Sequence, residues 1–188
     1  RRQRQMCIRD SRGVACALEM DAFARGFTKA RQAEGIDFGR TRIGVHTGVV
    51  LVGNFGGKSL FDYRALGDPI NTASRLETVN RYLGTSVCIS KATVAGCPGF
   101  IGRPVGILVL KGKSQGIEAF EPLSEKEAES PATLKYLEAF SLLKNDDPGA
   151  LNAFVALAKD FPDDPLAAFH LKRLGNGETG VIVVLSEK

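Results

Sequence analysis

The segment FDYRALGDPINTASRLETVNRYLG, residues 61–84, constrains the fold most because a strand, a turn and a helix follow one another in it. Residues 61–63 are rich in aromatic side chains, which favours a strand. A Gly-Asp-Pro turn follows, in which we expect Asp68 to cap the helix and Pro69 to occupy its first position. Apolar residues then recur at helical spacing, namely Ile70, Ala73, Leu76, Val79 and Leu83. Gly84 predicts a left-handed end to this helix.

Two polar residues of the same helix form a candidate anion site. Asn71 and Arg75 are four residues apart, so they lie on one side of the helix within its first two turns. The free N–H groups and the dipole at a helix N-terminus attract anions. A guanidinium adds a planar fork that pairs with phosphate oxygens. The pair therefore indicates a phosphate site, although an isolated Asn/Arg pair at this spacing is more often an ordinary surface pair.

Three sequence runs give this pair a context. They are RIGVHTGVVLVGNFGG at 42–57, DYRALGDPINTASRLE at 62–77 and GTSVCIS at 84–90. In this order and spacing they resemble the C-terminal half of a class III nucleotidyl cyclase catalytic domain, of the adenylate/guanylate cyclase family. The resemblance covers roughly residues 14–123, and GDPINTASRLE is its most specific part.

The resemblance implies both a fold and a reaction. The fold would be an α/β (α+β) sandwich of ferredoxin-like type, incomplete at its N-terminus. The reaction would be attack of a ribose 3′-hydroxyl on the α-phosphate of a nucleoside triphosphate, giving a cyclic nucleotide and pyrophosphate. ATP is the implied substrate, because bacterial relatives with a DYRALGDP-like run are usually adenylate cyclases. The active site would form only at the interface of a homodimer.

The resemblance also assigns roles to individual residues. Asn71 would orient the ribose, and Arg75 would neutralise charge that builds on the α-phosphoryl group. Arg64 falls at the position that contacts the base. The KGK turn would place Lys111 first, then Lys113, near the triphosphate, although these lysines fit a solvated basic turn equally well.

Two departures from the family pattern limit these implications. The family's two metal-binding aspartates and its base-selecting lysine belong to an upstream half that this chain lacks, so the ligands for Mg²⁺ or Mn²⁺ are expected there. Asp21, Asp37 and Asp62 do not stand at matching positions, and this fragment alone is expected to be inactive. In addition, the cation of Arg64 cannot accept a hydrogen bond from the adenine amino group, which leaves ATP and GTP both open.

One further similarity is misleading. The run FARGFT resembles the end of the family's metal-binding signature, FxDIxGFT, but Phe23 stands where the aspartate belongs. In the family that signature also lies much further upstream of the IGVHTG strand. We therefore predict a helix over residues 14–35 in which Phe23 and Phe27 are core residues.

Charge and length restrict the possible functions. The 188 residues suffice for one domain and an appendage. The net charge of +4 comes entirely from residues 1–12, which hold five arginines and one aspartate. The rest of the chain is formally neutral and shows no basic face for nucleic acid, so no nucleic-acid partner is predicted. Residues 1–12 lack helical or strand periodicity, and we interpret them as a non-native or disordered leader.

The cysteines and the hydropathy of the sequence indicate in which cellular compartment the domain lies. Cys7, Cys16, Cys88 and Cys97 form no CxxC motif and do not stand at zinc-ligand spacing from a histidine. Free thiols are typical of a reducing compartment, which predicts a cytoplasmic domain. No segment is long and apolar enough to span a membrane, and no signal peptide is visible. The resemblance still allows a membrane anchor upstream in the full-length protein.

The sequence pattern in the rest of residues 40–120 predicts short strands and turns. We expect two strands within residues 40–53, with glycines at points of bending or close approach. GNFGGKS at 53–59 is interpreted as a hairpin turn and not a phosphate-binding loop, because Val52 stands where the first glycine is needed. A buried strand is predicted at 85–90, a short helix after it, and a hairpin from 107–110 and 117–120. No catalytic role is assigned to His46.

The composition changes near residue 130. Helical patterns at about 131–144, 148–160 and 164–174 resemble tetratricopeptide helix pairs, with room for about one and a half repeats. Because too few repeats are present to stand alone, the tail of residues 124–188 should pack on residues 13–123 or on a protein partner. Residues 180–185 predict a last strand or a docking segment, and His170 predicts a core histidine.

Two other functions fit the same sequence. The first is a non-catalytic cyclase-like module that dimerises and relays a signal without turnover. The second is a scaffold that binds a protein partner through the helical tail. An upstream pair of metal-binding aspartates would separate the enzyme from the first of these. A pull-down with residues 124–188 alone that recovered nothing would count against the second.

Overall fold

The computed structural model describes residues 2–57, 60–109 and 116–185. The elements of the first part are α1 (Arg2–Ala33), β1 (Ile43–Val45), β2 (Leu51–Gly57), β3 (Leu60–Leu66), α2 (Asp68–Leu83), β4 (Val87–Ser90), α3 (Lys91–Val94), β5 (Gly102–Val109) and β6 (Ile117–Pro122). Those of the tail are α4 (Glu125–Ala128), α5 (Pro131–Lys144), α6 (Ala150–Asp160), α7 (Pro165–Gly175) and β7 (Ile182–Val184). Lys111 and Lys113 lie outside the described residues.

A mixed five-stranded sheet forms the centre of the structure. Its strand order is β1-β4-β6-β5-β7. β1 runs parallel to β4 and β7 runs parallel to β5, whereas β6 is antiparallel to both of its neighbours. β2 and β3 form a separate antiparallel hairpin. The predicted α/β fold is confirmed. Residues 53–57 of GNFGGKS lie in strand β2 of this hairpin, whereas Lys58 and Ser59 lie outside the described residues.

The tail packs on the sheet and shares its core. One buried cluster joins residues of α2, β4, β5 and β6 to residues of α5, α6, α7 and β7. Fully buried members from the first part include Leu76, Leu83, Val105 and Leu108, and those from the tail include Tyr136, Phe154, Leu157 and Leu166. The three tail helices and the last strand are confirmed, and the inner face of the tail is occupied by the sheet.

Helix α1 differs from the prediction at its start. It begins at Arg2, so residues 2–12 are helical where a non-native or disordered leader was expected over residues 1–12. Asp10 is buried on this helix and accepts a hydrogen bond from the Thr47 hydroxyl at 2.9 Å. This contact and the burial of Val14 and Ala17 against β4 hold the helix on the sheet.

The apolar face assigned to α1 is also wrong. Phe23 is 74% exposed and Phe27 is 41% exposed, whereas Val14, Ala17 and Asp21 are buried. The helix carries two apolar stripes, and the stripe with the smaller side chains, Val14 and Ala17, faces the sheet. The aromatic stripe remains on the surface, where Phe27 makes an edge contact with the ring of Phe38 at 5.1 Å between centroids.

His170 on α7 is a core histidine, as predicted. It is completely buried, and Arg173 Nη1 donates to its Nδ1 at 3.3 Å. Its aromatic neighbours are Tyr136, Phe140, Phe154 and Phe169. Burial, reinforced by the nearby Arg173 cation, lowers the pKa of His170 to about 3, so the imidazole is neutral at physiological pH.

The buried imidazole predicts acid sensitivity. The unfolded chain takes up a proton on His170 near pH 6.5, whereas the folded protein does so only near pH 3. This group therefore contributes stability above pH 6.5 that is lost as the pH falls, about 1.4 kcal/mol per pH unit, or about 2 kcal/mol at pH 5. Urea unfolding at pH 7 and pH 5 measures the loss.

A leucine at this position provides the comparison. His170→Leu removes the titrating group, so its stability should change less between the two pH values than that of the wild type. Both proteins retain Glu121, whose pKa is raised by burial, so the difference isolates His170. Equal pH dependence in the two proteins would contradict this account.

Hydropathy gives one finding about membranes. Among residues 2–57, 60–109 and 116–185, no helix combines the length and apolar character needed to cross a bilayer.

Candidate active site

Close contact with strand β1 fixes the position of helix α2. A Cβ atom on Gly44 would lie 2.1 Å from the Ala73 carbonyl oxygen and 2.3 Å from the Glu77 amide nitrogen, so only glycine permits this approach. Asn80 Nδ2 donates to the Ile43 carbonyl at 3.0 Å and fixes the same pair of elements further along. The sheet therefore sets both the distance and the axial position of α2.

The substitution Gly44→Ala should destabilise the protein. The added methyl group meets backbone atoms, which cannot rotate away, and overpacking of this kind costs roughly 1–3 kcal/mol. Gly53→Ala is the matched control, since a Cβ atom on Gly53 has no neighbour within 4 Å. Chemical denaturation measures both variants, and equal midpoints would contradict the assigned role of Gly44.

The start of α2 lies one residue earlier than predicted. The helix begins at Asp68, its N-cap is Gly67, and no side chain caps it, so Asp68 is a first-turn residue and Pro69 stands at the second position. Gly67 has φ of 147°, a conformation that favours glycine. An acidic residue in the first turn still complements the helix dipole. The predicted left-handed end at Gly84 is confirmed by its φ of 73°.

Asn71 and Arg75 lie on α2 as the spacing predicted. Asn71 is exposed and Arg75 is half-buried. Nη1 of Arg75 is inaccessible to solvent and has no hydrogen-bond partner among the described residues. A buried donor without a partner costs about 1–3 kcal/mol, and more when it is charged. The geometry thus leaves a cationic donor available to a group that is not part of the described chain.

The other candidate residues lie on other elements. Arg64 is on β3 of the hairpin, where its Nε pairs with the Asp62 carboxylate, and its side chain is 60% exposed. His46 Nδ1 lies 2.8 Å from the Ser90 hydroxyl oxygen, so this ring nitrogen has a hydrogen-bonding partner. The structure thus brings Asn71 and Arg75 together and places Arg64 apart from them on the hairpin.

The described residues do not fit a metal site. In the ranges 2–57, 60–109 and 116–185, no three His, Cys, Asp or Glu side chains are grouped so that they could hold an ion. Asp62 is engaged with Arg64, and Asp21 pairs with Arg25 at 2.8 Å. No catalytic step is therefore assigned to a metal ion held by these residues.

The described thiols offer no nucleophile at this site. Cys16, Cys88 and Cys97 are free, as predicted. Burial raises the pKa of Cys88 to about 12, so it remains a neutral thiol.

A buried charge cluster at the tail is a feature that the sequence reasoning missed. Arg103 on β5 pairs with Glu121 on β6 at 2.7 Å and with Asp164, the N-cap of α7. Burial raises the pKa of Glu121, and Arg103 opposes that rise. The three side chains line a cavity of about 520 Å³ whose lining includes neither Asn71 nor Arg75. The Asp-Pro at 164–165 is a helix-start signal that could have indicated the N-cap.

A family match gives the class of this chain, a nucleotidyl cyclase domain of mixed α/β fold. Residues 8–121 match the adenylate and guanylate cyclase catalytic domain, which is more than half of the chain. The chain therefore belongs to this family. The match ends just before the helical tail.

Similar proteins agree with the family. Adenylate cyclase 1 of Rhizobium meliloti (strain 1021) is 42% identical over 107 residues, which are 56% of this chain and 16% of that protein. An adenylate cyclase of Anabaena cylindrica is 35% identical over 83 residues, 42% of this chain and 16% of that protein. The chain thus spans about one sixth of the length of these relatives.

A solved structure supports the fold. The crystal structure of the adenylyl cyclase CyaB from P. aeruginosa superimposes with a TM-score of 0.51 at 26% identity. The superposition covers 60% of this chain and 58% of that chain.

Proposed function

We propose that this chain is part of an adenylate cyclase of class III, a phosphorus–oxygen lyase that converts ATP to cyclic AMP and pyrophosphate in intracellular signalling. Family membership and the two adenylate cyclase relatives support this function. The observation that carries it is the buried Nη1 of Arg75, which has no hydrogen-bond partner within the described part of the chain and lies one helical turn from the exposed Asn71.

In the proposed reaction the ribose 3′-oxygen attacks the α-phosphorus of the same nucleotide. The 3′-hydroxyl gives its proton to solvent water, a P–O bond closes the cyclic phosphate, and the bond from the α-phosphorus to the bridging oxygen breaks, so that this oxygen leaves with pyrophosphate. Asn71 orients the ribose. Arg75 donates to the α-phosphoryl oxygens, where a preorganised cation is most effective as negative charge builds.

The proposed site is shared between two subunits. A homodimer would bring Asn71 and Arg75 of one protomer towards carboxylates that belong to the other. Those carboxylates, which would hold Mg²⁺ or Mn²⁺, are proposed to come from polypeptide outside these residues. The exposed apolar side chains Val49, Leu51 and Tyr63 beside and on the β2–β3 hairpin support an interface there.

Base selection gives the second candidate, a guanylate cyclase. Arg64 can donate to the O6 and N7 atoms of guanine but cannot accept from the adenine amino group. The carboxylate of Asp62, which is paired with Arg64, could instead accept a hydrogen bond from the adenine amino group. Lys111 and Lys113 stay predictions for contact with the triphosphate.

Three wider assignments also stay proposals. The free thiols support a cytoplasmic domain, and an anchor upstream in the full-length protein would place it at the inner membrane. The tail is proposed to resemble tetratricopeptide helix pairs and to bind a protein partner. Both assignments rest on sequence patterns alone.

The decisive experiment is a turnover assay on the protein expressed from its native gene. ATP and GTP are supplied separately with Mn²⁺ or Mg²⁺, and cyclic nucleotide and pyrophosphate are both quantified. Equal amounts of cyclic AMP and pyrophosphate from ATP support the proposal, and cyclic GMP supports the second candidate. A dimeric protein that binds nucleotide and releases neither product would instead favour a non-catalytic signalling module.

A further inference from the structure

The tail holds the end of helix α2. Gly84, which closes α2, lies against Pro165 at the start of α7, and a Cβ atom on Gly84 would come within 2.6 Å of the Pro165 Cβ. The left-handed backbone of Gly84 makes glycine favourable there for a second reason. Helix α7 therefore contacts the backbone end of the helix that carries Asn71 and Arg75.

The tail also holds strand β5 along its length. Near its start, the Tyr136 hydroxyl donates to the Pro104 carbonyl at 2.7 Å. Near its end, the Ile107 amide donates to the Val181 carbonyl at 2.8 Å, and the strand continues in parallel register with β7. The strand ends at Val109, two residues before Lys111 in the sequence.

Asp164 joins these two attachments. Its Oδ1 accepts from the Leu166 amide at 3.1 Å and so caps α7, while Nη2 of Arg103 donates to the same oxygen at 2.8 Å. Nη1 of Arg103 donates to Oδ2, which makes the pair bidentate. Both side chains are 8% exposed, and the Arg103 guanidinium lies 4.6 Å from the centre of the Tyr136 ring. One buried carboxylate thus connects the start of α7, next to Pro165, with β5.

We propose that Asp164 is a positioning residue for the proposed cyclase site. Through its pair with Arg103 it holds the tail against β5 and against the end of α2, and so sets the placement of Arg75 and of the strand that leads to Lys111. The catalytic part of this inference rests on the proposed function, whereas its mechanical part rests on the contacts alone. Any event that opens the Asp164–Arg103 pair would loosen both elements together.

Amide hydrogen–deuterium exchange on the 188-residue chain tests the mechanical part. Asp164→Asn keeps an N-cap residue of equal quality but removes the charge that pairs with Arg103. We expect roughly tenfold faster exchange in peptides that cover β5 and the end of α2, in line with couplings carried through packed networks. The matched control is Asp160→Asn, because Asp160 pairs with Lys135 within the tail, and this variant should exchange like the wild type.

Turnover tests the catalytic part on the protein expressed from its native gene. Asp164→Asn should lower kcat/KM roughly tenfold and raise KM for the nucleotide, because displaced contacts weaken binding. A merely smaller folded fraction would lower kcat and leave KM unchanged. Asp160→Asn should retain both constants within about twofold.

The two measurements separate the possible failures. Exchange that is equal in the two variants, or faster only within α7, overturns the proposal, as does an unchanged KM for Asp164→Asn. If the wild type forms no cyclic nucleotide from ATP or GTP, the proposed function fails. The exchange comparison then still decides whether Asp164 holds α2 and β5.

Discussion

In the protein expressed from its native gene, and if the proposed function holds, Arg75→Ala is expected to lower kcat for cyclic nucleotide formation about 10²–10³-fold, the usual effect of removing one preorganised donor from developing negative charge. Its Nη1 has no partner within the described residues, so the resting protein loses no hydrogen bond at that atom. The melting temperature should therefore not fall, whereas the turnover number should drop by the factor given above. A turnover assay and a thermal melt on the same preparation measure both.

Arg81→Ala is the matched control for this prediction. Arg81 is an exposed arginine on the same helix, six residues further along and on another side. Its removal changes net charge equally and should leave turnover within about twofold, as expected for an exposed charge. If Arg75→Ala also stayed within twofold, Arg75 would have no role in the transition state. Arg75→Lys should recover only part of the rate, because an ammonium lacks the planar fork.

A chain that ends after Leu123 is expected to lose cooperative unfolding. The shared core then loses every side chain of α5, α6 and α7, among them the fully buried Tyr136, Phe154 and Leu166. Each large buried side chain contributes about 1.5–3 kcal/mol, so three of them match much of the 5–15 kcal/mol that stabilises an ordinary domain. Circular dichroism melts and binding of a hydrophobic dye measure the effect.

Two longer truncated chains show which part of the tail stabilises the sheet. A chain that ends after Leu185 retains β7 and should melt like the full chain. A chain that ends after Gly175 loses β7, so we expect it to fold with a lowered midpoint because β5 becomes an edge strand. A sharp melt from the chain that ends after Leu123 would show that the sheet supports itself and would refute the structural role given to the tail.

Local features of this protein were predictable because local physics determines them. Helix α2, its left-handed end at Gly84 and the shared side of Asn71 and Arg75 follow from spacing and from one glycine. The β2–β3 hairpin and the three tail helices follow from turn residues and from periodicity. The N-cap of α2 was misplaced by one residue, since Asp and Gly are both acceptable there and only the backbone conformation of Gly67 decides.

The missed features are non-local. Phe23 and Phe27 form an apolar stripe on α1, but which of two stripes faces the sheet is decided by packing against β1 and β4, which are distant in sequence. The pair of Arg103 and Asp164 joins residues 61 positions apart, and no local pattern reports such a partner. For the candidate site, the sequence indicated which residues share a helix, whereas the buried, unpartnered nitrogen of Arg75 is visible only in three dimensions.

The parallel pairing of β5 with β7 has a consequence for synthesis on the ribosome. Residues 107–109 pair with residues 182–184, so the strand that leads to the predicted triphosphate loop has no neighbour on that side until almost the whole chain has been translated. At about 5–20 residues per second, several seconds pass during which apolar side chains of the sheet remain exposed. The nascent protein should therefore depend on chaperones through that interval, and messages truncated within the tail should yield proteolysed chains.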